Sequence, residues 1–121
     1  MHVAGVFVNA KEKWNVLSGE VVFREGDVGE AMYGIIEGQI QLQTNDRVIA
    51  TLGADNVFGE MALVDKSPRM ATAVATSDSQ LAVIDKHMFL FLVHETPTFA
   101  LSVMSEMAAR LRAYATGDPY R

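Results

Sequence analysis

Cysteine is absent from the 121 residues, which removes disulfides, iron–sulfur ligation, thiol redox sensing and any zinc site built on thiolates. Packing has to hold the fold. Positive charge is scarce: ten Lys plus Arg face fifteen Asp plus Glu, for a formal charge of -5. That sign is wrong for a domain whose affinity would come from neutralising phosphates along a duplex, so direct DNA binding is not expected. Long apolar runs are also missing. No stretch approaches the roughly 20 residues that span a bilayer, and the opening Met-His-Val-Ala-Gly lacks the basic and apolar regions of a secretory leader. The expectation is a cytoplasmic protein without a membrane span. Histidine is sparse too, and the glycine-rich first half has none after His2.

Half the residues are apolar and 21% are charged, proportions of a chain with a folded interior. Its length suits one domain and excludes a two-domain enzyme. Gly19, Gly26, Gly29, Gly34, Gly38, Gly53 and Gly59 separate short segments rich in Val, Ile and Phe, the punctuation of strands and turns. The expected strands are Val21 to Phe23, Met32 to Ile36, Ile40 to Gln43, Arg47 to Leu52, Thr72 to Ala75 and Leu81 to Ile84. Ile40-Gln-Leu-Gln alternates strictly, as a strand with one buried face does, and the set reads as a small antiparallel sandwich or barrel.

After Asp85 the pattern changes. Lys86 to His94 holds no glycine or proline and a dense apolar cluster, so a short, mostly buried helix capped by Asp85 is expected, with a strand as the alternative. Thr96 can cap a second helix and Pro97 suits its first position. Phe99, Val103, Met107, Leu111 and Tyr114 then follow at helical spacing, until Gly117 and Pro119 stop it.

The segment from Val57 to Ala75 interrupts the strands with the makings of an anion cradle. Gly59-Glu-Met-Ala-Leu63 can form a helical turn or two, whose start has free N–H groups that attract phosphate. Pro68 stiffens the loop that follows, and Arg69 offers a planar guanidinium able to grip two phosphate oxygens. Glu60 would repel a phosphate unless it accepts a hydrogen bond from a sugar hydroxyl beside it. The same carboxylate is expected to hold Arg69 when no ligand is present. Phe58 and Leu63 read as core, while Met61 and Met70 have thioethers that adapt to a flat base at the pocket edge. His87 and His94 are seven apart on the expected helix, not the three or four that place ligands side by side, so no metal site is expected. Ser67 and Ser77-Asp-Ser79 read as turn chemistry rather than as parts of a catalytic triad.

These residues resemble the cyclic nucleotide-binding domain family, shared by catabolite-activator-like regulators, regulatory subunits of cyclic-nucleotide-dependent kinases and gated channels. Gly19-Glu-Val-Val-Phe-Arg-Glu-Gly-Asp27 is similar to the family's first strand and turn, and Met32-Tyr-Gly-Ile-Ile-Glu-Gly38 to its next strand and glycine. Phe58-Gly-Glu-Met-Ala-Leu63 with Pro68-Arg-Met-Ala-Thr72 resembles the phosphate-binding cassette. The resemblance runs from about Val16 to Ala115. It implies a mainly β fold with flanking helices: an eight-stranded antiparallel, jelly-roll-like β-roll over 16–85, with the cassette at 58–72, behind an abbreviated N-terminal segment at 1–15. A short helix and a C-terminal lid helix follow within 86–116.

By the same resemblance, Arg69 pairs with the cyclic phosphate, helped by N–H groups near Ala62 and Met70, and Gly59 and Glu60 meet the ribose 2′-hydroxyl. The implied ligand site comprises Gly59, Glu60, Met61, Ala62, Arg69, Met70, Ala71, Leu111 and Tyr114, with no cofactor. Met70 follows Arg69 where guanine-preferring members often carry Thr or Ser, which weighs toward cyclic AMP, with cyclic GMP as the alternative. Two readings compete for the outer end of the last helix, Leu111 with Tyr114: a lid over the ligand, and a seam between two copies of the chain. The leading expectation is a stand-alone, non-enzymatic sensor that signals to an effector protein of unspecified kind. The alternative is an interaction or dimerisation domain with a vestigial pocket. A cupin-like metalloenzyme is disfavoured for want of ligands.

Overall fold

Short apolar segments that alternate over much of their length build two sheets. In a computed structural model that describes residues 6–116, the strands are β1 (Lys13–Val16), β2 (Val21–Phe23), β3 (Ala31–Glu37), β4 (Ile40–Thr44), β5 (Arg47–Leu52), β6 (Val57–Phe58), β7 (Thr72–Ala75) and β8 (Ser79–Asp85). One sheet has the order β1-β8-β3-β6 and the other β2-β7-β4-β5, with every pair antiparallel. All six strands expected from the sequence are present. The other two were not expected: β6 has only two residues, and β1, although it alternates, lies ahead of Gly19. β1 straddles the boundary expected at 15/16, and β6 ends one residue before Gly59.

Period-two geometry explains why the first sheet is buried on both sides. Ile35, Leu81 and Phe58 face the second sheet and join Ile40, Leu42, Ile49 and Ala73 in one core. Met32, Ala82, Ile84 and Val57 point the other way and pack with Phe7, Phe99 and Val103. The second layer is therefore helical. It consists of α2 (Lys86–Glu95) and α3 (Thr98–Thr116), while α1 (Met61–Val64) is a single turn inside the β6–β7 connection.

Asp85 caps α2 as expected, its side chain accepting from the Met88 N–H at 2.8 Å. The expectation that this helix is mostly buried is not met, since none of its residues is fully buried. It lies on the surface of the sheet and presents one face: Met88, Phe89, Leu92 and Val93 pack inward, whereas Leu90 and Phe91 are 57% and 52% exposed. A run of apolar residues on a helix necessarily points around the axis, and one sheet covers only one side. The last helix begins at Thr98, just past Pro97, and the Phe99 N–H bonds to the Thr96 carbonyl at 2.9 Å. The stop expected at Gly117 and Pro119 lies outside the described residues. Among those residues no helix is long and apolar enough to cross a membrane.

The N-terminal half of α3 is the anchored half. Phe99 is fully buried, edge-on to Phe7 at 6.0 Å and tilted against Phe89 at 5.8 Å. Phe99→Ala removes this ring from both partners and should cost about 3–5 kcal/mol of stability, while the exposed Leu101→Ala should stay within about 0.5 kcal/mol. Urea unfolding of both variants checks this. Equal midpoints would contradict the packing described.

Candidate functional site

The site is built around an arginine that the backbone holds from several sides. The Arg69 N–H donates to the Asp27 carbonyl and the Arg69 carbonyl accepts from Gly26, both at 2.8 Å, so the residue is tied to the β2–β3 turn. Its guanidinium donates from Nη1 to the Gly59 carbonyl at 2.9 Å and from Nη2 to the Ala31 carbonyl at 2.8 Å. The Phe23 ring lies 4.2 Å from Cζ, within cation–π range. Two glycines make the room. A methyl at Gly29 would collide with Nη2, Cζ and Nε, and one at Gly59, where φ is +80°, would meet Nη1 at 2.8 Å.

Arg69 is only 7% exposed, its Nε is buried without a hydrogen-bond partner, and among the described residues it forms no ion pair. Burial accordingly pushes its pKa down, opposed by the Tyr33, Asp27 and Glu60 charges. A buried cation satisfied by neutral carbonyls alone retains a donor and a full charge for an anion.

Glu60 does not hold Arg69, contrary to expectation. It sits at the start of α1, 4% exposed, and its Oε1 pairs with Nη2 of Arg110 at 2.5 Å. The reason is positional. α3 crosses above the cassette and delivers Arg110 directly to Glu60, while the Arg69 guanidinium is drawn to the opposite side by the carbonyls of Gly59 and Ala31. Arg110 also reaches Glu106, one turn earlier, at 3.5 Å. Glu106 in turn accepts from the Val57 N–H through both oxygens, at 3.1 and 3.0 Å. Burial raises the Glu106 carboxyl from 4.5 to about 7, with Arg110 and the Val57 N–H opposing and Glu60 adding to the rise.

All nine residues singled out from the sequence, Gly59, Glu60, Met61, Ala62, Arg69, Met70, Ala71, Leu111 and Tyr114, line one cavity. Phe23, Leu42, Ser67, Pro68, Met107 and Arg110 complete its walls. Ala62 and Ala71 are buried, Met61 half-buried and Met70 43% exposed at the rim. Leu111 is 54% exposed, so the buried face of α3 passes through Arg110 and Ala113 rather than through Leu111 as the expected stripe had it. Tyr114 packs against the core between the sheets, and burial raises its phenol. The Ala62 N–H, expected to help an anion, is directed to the Gly59 carbonyl at 3.3 Å.

Arg110 and Glu106 were not foreseen, nor the room that Gly29 leaves. Their signal is faint: Ser102, Glu106 and Arg110 recur every four residues beside the apolar stripe, so one polar row faces inward with it. His87 and His94 are exposed on α2, and among the described residues no three metal-capable side chains come together.

The sequence pattern named "Cyclic nucleotide-binding domain" matches residues 13–96. The Cyclic AMP receptor protein of Thermus thermophilus is 35% identical over 99 residues, which are 78% of this chain and 46% of that protein. A cAMP-dependent protein kinase regulatory subunit of Eremothecium gossypii is 37% identical over 82 residues, 68% of this chain and 18% of that one. The crystal structure of Thermus thermophilus Catabolite Activator Protein superposes with a TM-score of 0.72 at 31% identity, covering 86% of this chain and 51% of the other. The chain thus spans less than half of the curated relatives named here. With two antiparallel four-stranded sheets, a cassette closed by Arg69 and this match across the whole roll, the chain belongs to the cyclic nucleotide-binding domain family.

Proposed function

We propose that this chain takes up a cyclic nucleotide, cyclic AMP in preference to cyclic GMP, beside Arg69 and converts occupancy into movement of α3. The observation that carries the reading is the buried guanidinium of Arg69, which has no acidic side-chain partner among the described residues and whose Nε lacks a hydrogen-bond partner. A cyclic phosphate supplies the missing charge, and the ribose 2′-hydroxyl donates to Glu60. Cyclic AMP is favoured by the exposed thioether of Met70, which offers guanine no hydroxyl, and by relatives whose names specify that nucleotide.

Movement follows from size. The cavity measures about 60 Å³, whereas small-molecule sites run to roughly 300–1,000 Å³. Met107, Arg110, Leu111 and Tyr114 form its α3 wall and have to withdraw for a nucleotide to enter. Arg110 engages only Oε1 of Glu60, so the second oxygen can accept the ribose hydroxyl and the carboxylate ties ligand and helix together. The helix opens to admit the nucleotide, and the ligand then shifts α3 only as far as it prefers the closed state over the open one. On this reading the chain is a sensor without catalysis of its own, and α3 carries the signal to an effector protein.

A second reading has its own observation. Leu101, Met104 and Leu111 are each more than half exposed, at steps of three and seven along α3, the spacing of a coiled-coil seam. A second copy of the chain fits this stripe, either as the output of the sensor or, in a vestigial domain, as the whole function. Sedimentation of wild type and Met104→Glu decides it: a dimer lost in the variant supports the seam, and a monomer in both removes it.

Arg69→Ala should weaken cyclic AMP binding by about 2–5 kcal/mol, with Arg69→Lys restoring only part because an ammonium cannot reproduce the planar fork. Titration calorimetry measures both, and equal affinity in wild type and Arg69→Ala would overturn the assignment. Glu60→Gln should cost cyclic AMP more than its 2′-deoxy analogue, by roughly 1.5–3 kcal/mol for a hydrogen bond to a charged group. Equal losses would restrict Glu60 to its contact with Arg110.

A further inference from the structure

The guanidinium of Arg69 offers more N–H donors than the protein takes. One hydrogen of Nη1 goes to the Gly59 carbonyl and one of Nη2 to the Ala31 carbonyl, while Nε–H is left over. The group is otherwise held by its flat face. The Phe23 ring lies 4.2 Å from Cζ, whereas the Tyr33 ring, at 5.9 Å, stands at the outer limit of such contacts. We propose that Phe23 is a positioning residue for the anion: its ring fixes the plane of the guanidinium and offsets the buried charge from a direction that costs no N–H donor. The proposal deepens the nucleotide-binding reading above and rests on it.

Successive residues of a regular strand face opposite ways. β2 departs from this: its register against β7 slips between Val21 and Phe23, and the neighbours Val22 and Phe23 both pack against the core between the sheets. A bulge of that kind re-aims a side chain, and here it turns the ring toward Arg69. The same segment holds the other end of the arginine. In the turn after β2 the Asp27 carbonyl accepts the Arg69 N–H, and the Gly26 N–H donates to the Arg69 carbonyl, so backbone and guanidinium are both fixed against residues 23–27. Behind the ring stand Phe58, at 5.9 Å between centroids, and Tyr33, at 6.1 Å. Phe58 is fully buried, which gives the ring a firm backing.

A ring suits this place better than an acid. A carboxylate would compensate the buried charge more fully, but it would take the same N–H groups that a phosphate needs and neutralise the cation in advance. An aromatic face attracts the cation along the normal to its plane, where the guanidinium has no donors. Phe23 lines the cavity together with Arg69, so the edge carrying the free Nε–H is kept in one plane beside the space the phosphate would occupy. An anion then meets a fork already oriented, without the cost of immobilising it.

A double-mutant cycle tests this, with cyclic AMP titrated calorimetrically into the full chain, Phe23→Leu, Arg69→Lys and the double variant. Phe23→Leu should lower affinity about three- to thirtyfold when Arg69 is present. In the Arg69→Lys background the same change should cost less than about twofold, because an ammonium has no plane to orient. Phe23→Tyr keeps the aromatic face and should bind within about threefold of wild type. Equal losses in both backgrounds would make Phe23 a packing or ligand-contact residue and overturn the proposal, as would full affinity in Phe23→Leu or equal weakness in Phe23→Tyr. Should Phe23→Leu fail to fold, NMR of wild type decides. Overhauser contacts between the Phe23 ring protons and the Arg69 Nε–H should be present in the free protein and persist at saturating nucleotide, and their absence in either state would overturn the proposal. Wild-type binding with an additive cycle sinks this proposal alone. No binding by wild type would overturn the nucleotide-binding reading and the proposal with it.

Discussion

A buried guanidinium with no acidic partner among the described residues is the constraint around which this domain is arranged. Burying a charge costs several kcal/mol unless partners compensate for it. Arg69 receives two carbonyls and an aromatic face, enough to hold it but not to neutralise it. The geometry is demanding. Ala31 and Gly59 come from different strands' ends, Gly29 and Gly59 forgo side chains to let the guanidinium pass, and Phe23 supplies the ring beneath. The β-roll brings these distant segments to one point, and the interruption between β6 and β7 exists to deliver the arginine there.

The last helix is fastened in two unlike ways. Its first turns are sealed by Phe99 and Val103 in the apolar layer over β3 and β8, where separation would expose a full core face. Further along, contact with the cassette runs through Arg110, Glu106 and Glu60, with Tyr114 on the core's edge. Apolar packing gains nothing by exchanging partners, while an arginine between two carboxylates can redistribute at modest cost. The sensor proposed above has this helix pivot on its anchored half, with the part that forms the cavity wall responding.

The sequence made the sheets legible where apolar segments lay between glycines, as in Ile40-Gln-Leu-Gln; β6, with two residues, shows no period, and β1 alternates but lies ahead of Gly19, outside the glycine-punctuated stretch. The cassette was legible because Gly59, Glu60, Pro68 and Arg69 each have a local reason for their type. The partner of Glu60 was not. It lies fifty residues away, and which cation reaches a buried carboxylate is decided by how a helix lies across a sheet rather than by anything near either residue. Burial of α2 was overread for a related cause: apolar composition says that a helix packs, but not on how many sides a neighbour is available.

The central claim is that the unsatisfied Arg69 guanidinium is the anion receptor, and its Nε–H is the atom to watch. In ¹⁵N-labelled protein, adding cyclic AMP should shift the Arg69 Nε–H resonance strongly downfield and protect it from exchange. An Arg69 Nε–H signal that stays in place at saturating nucleotide would contradict the account.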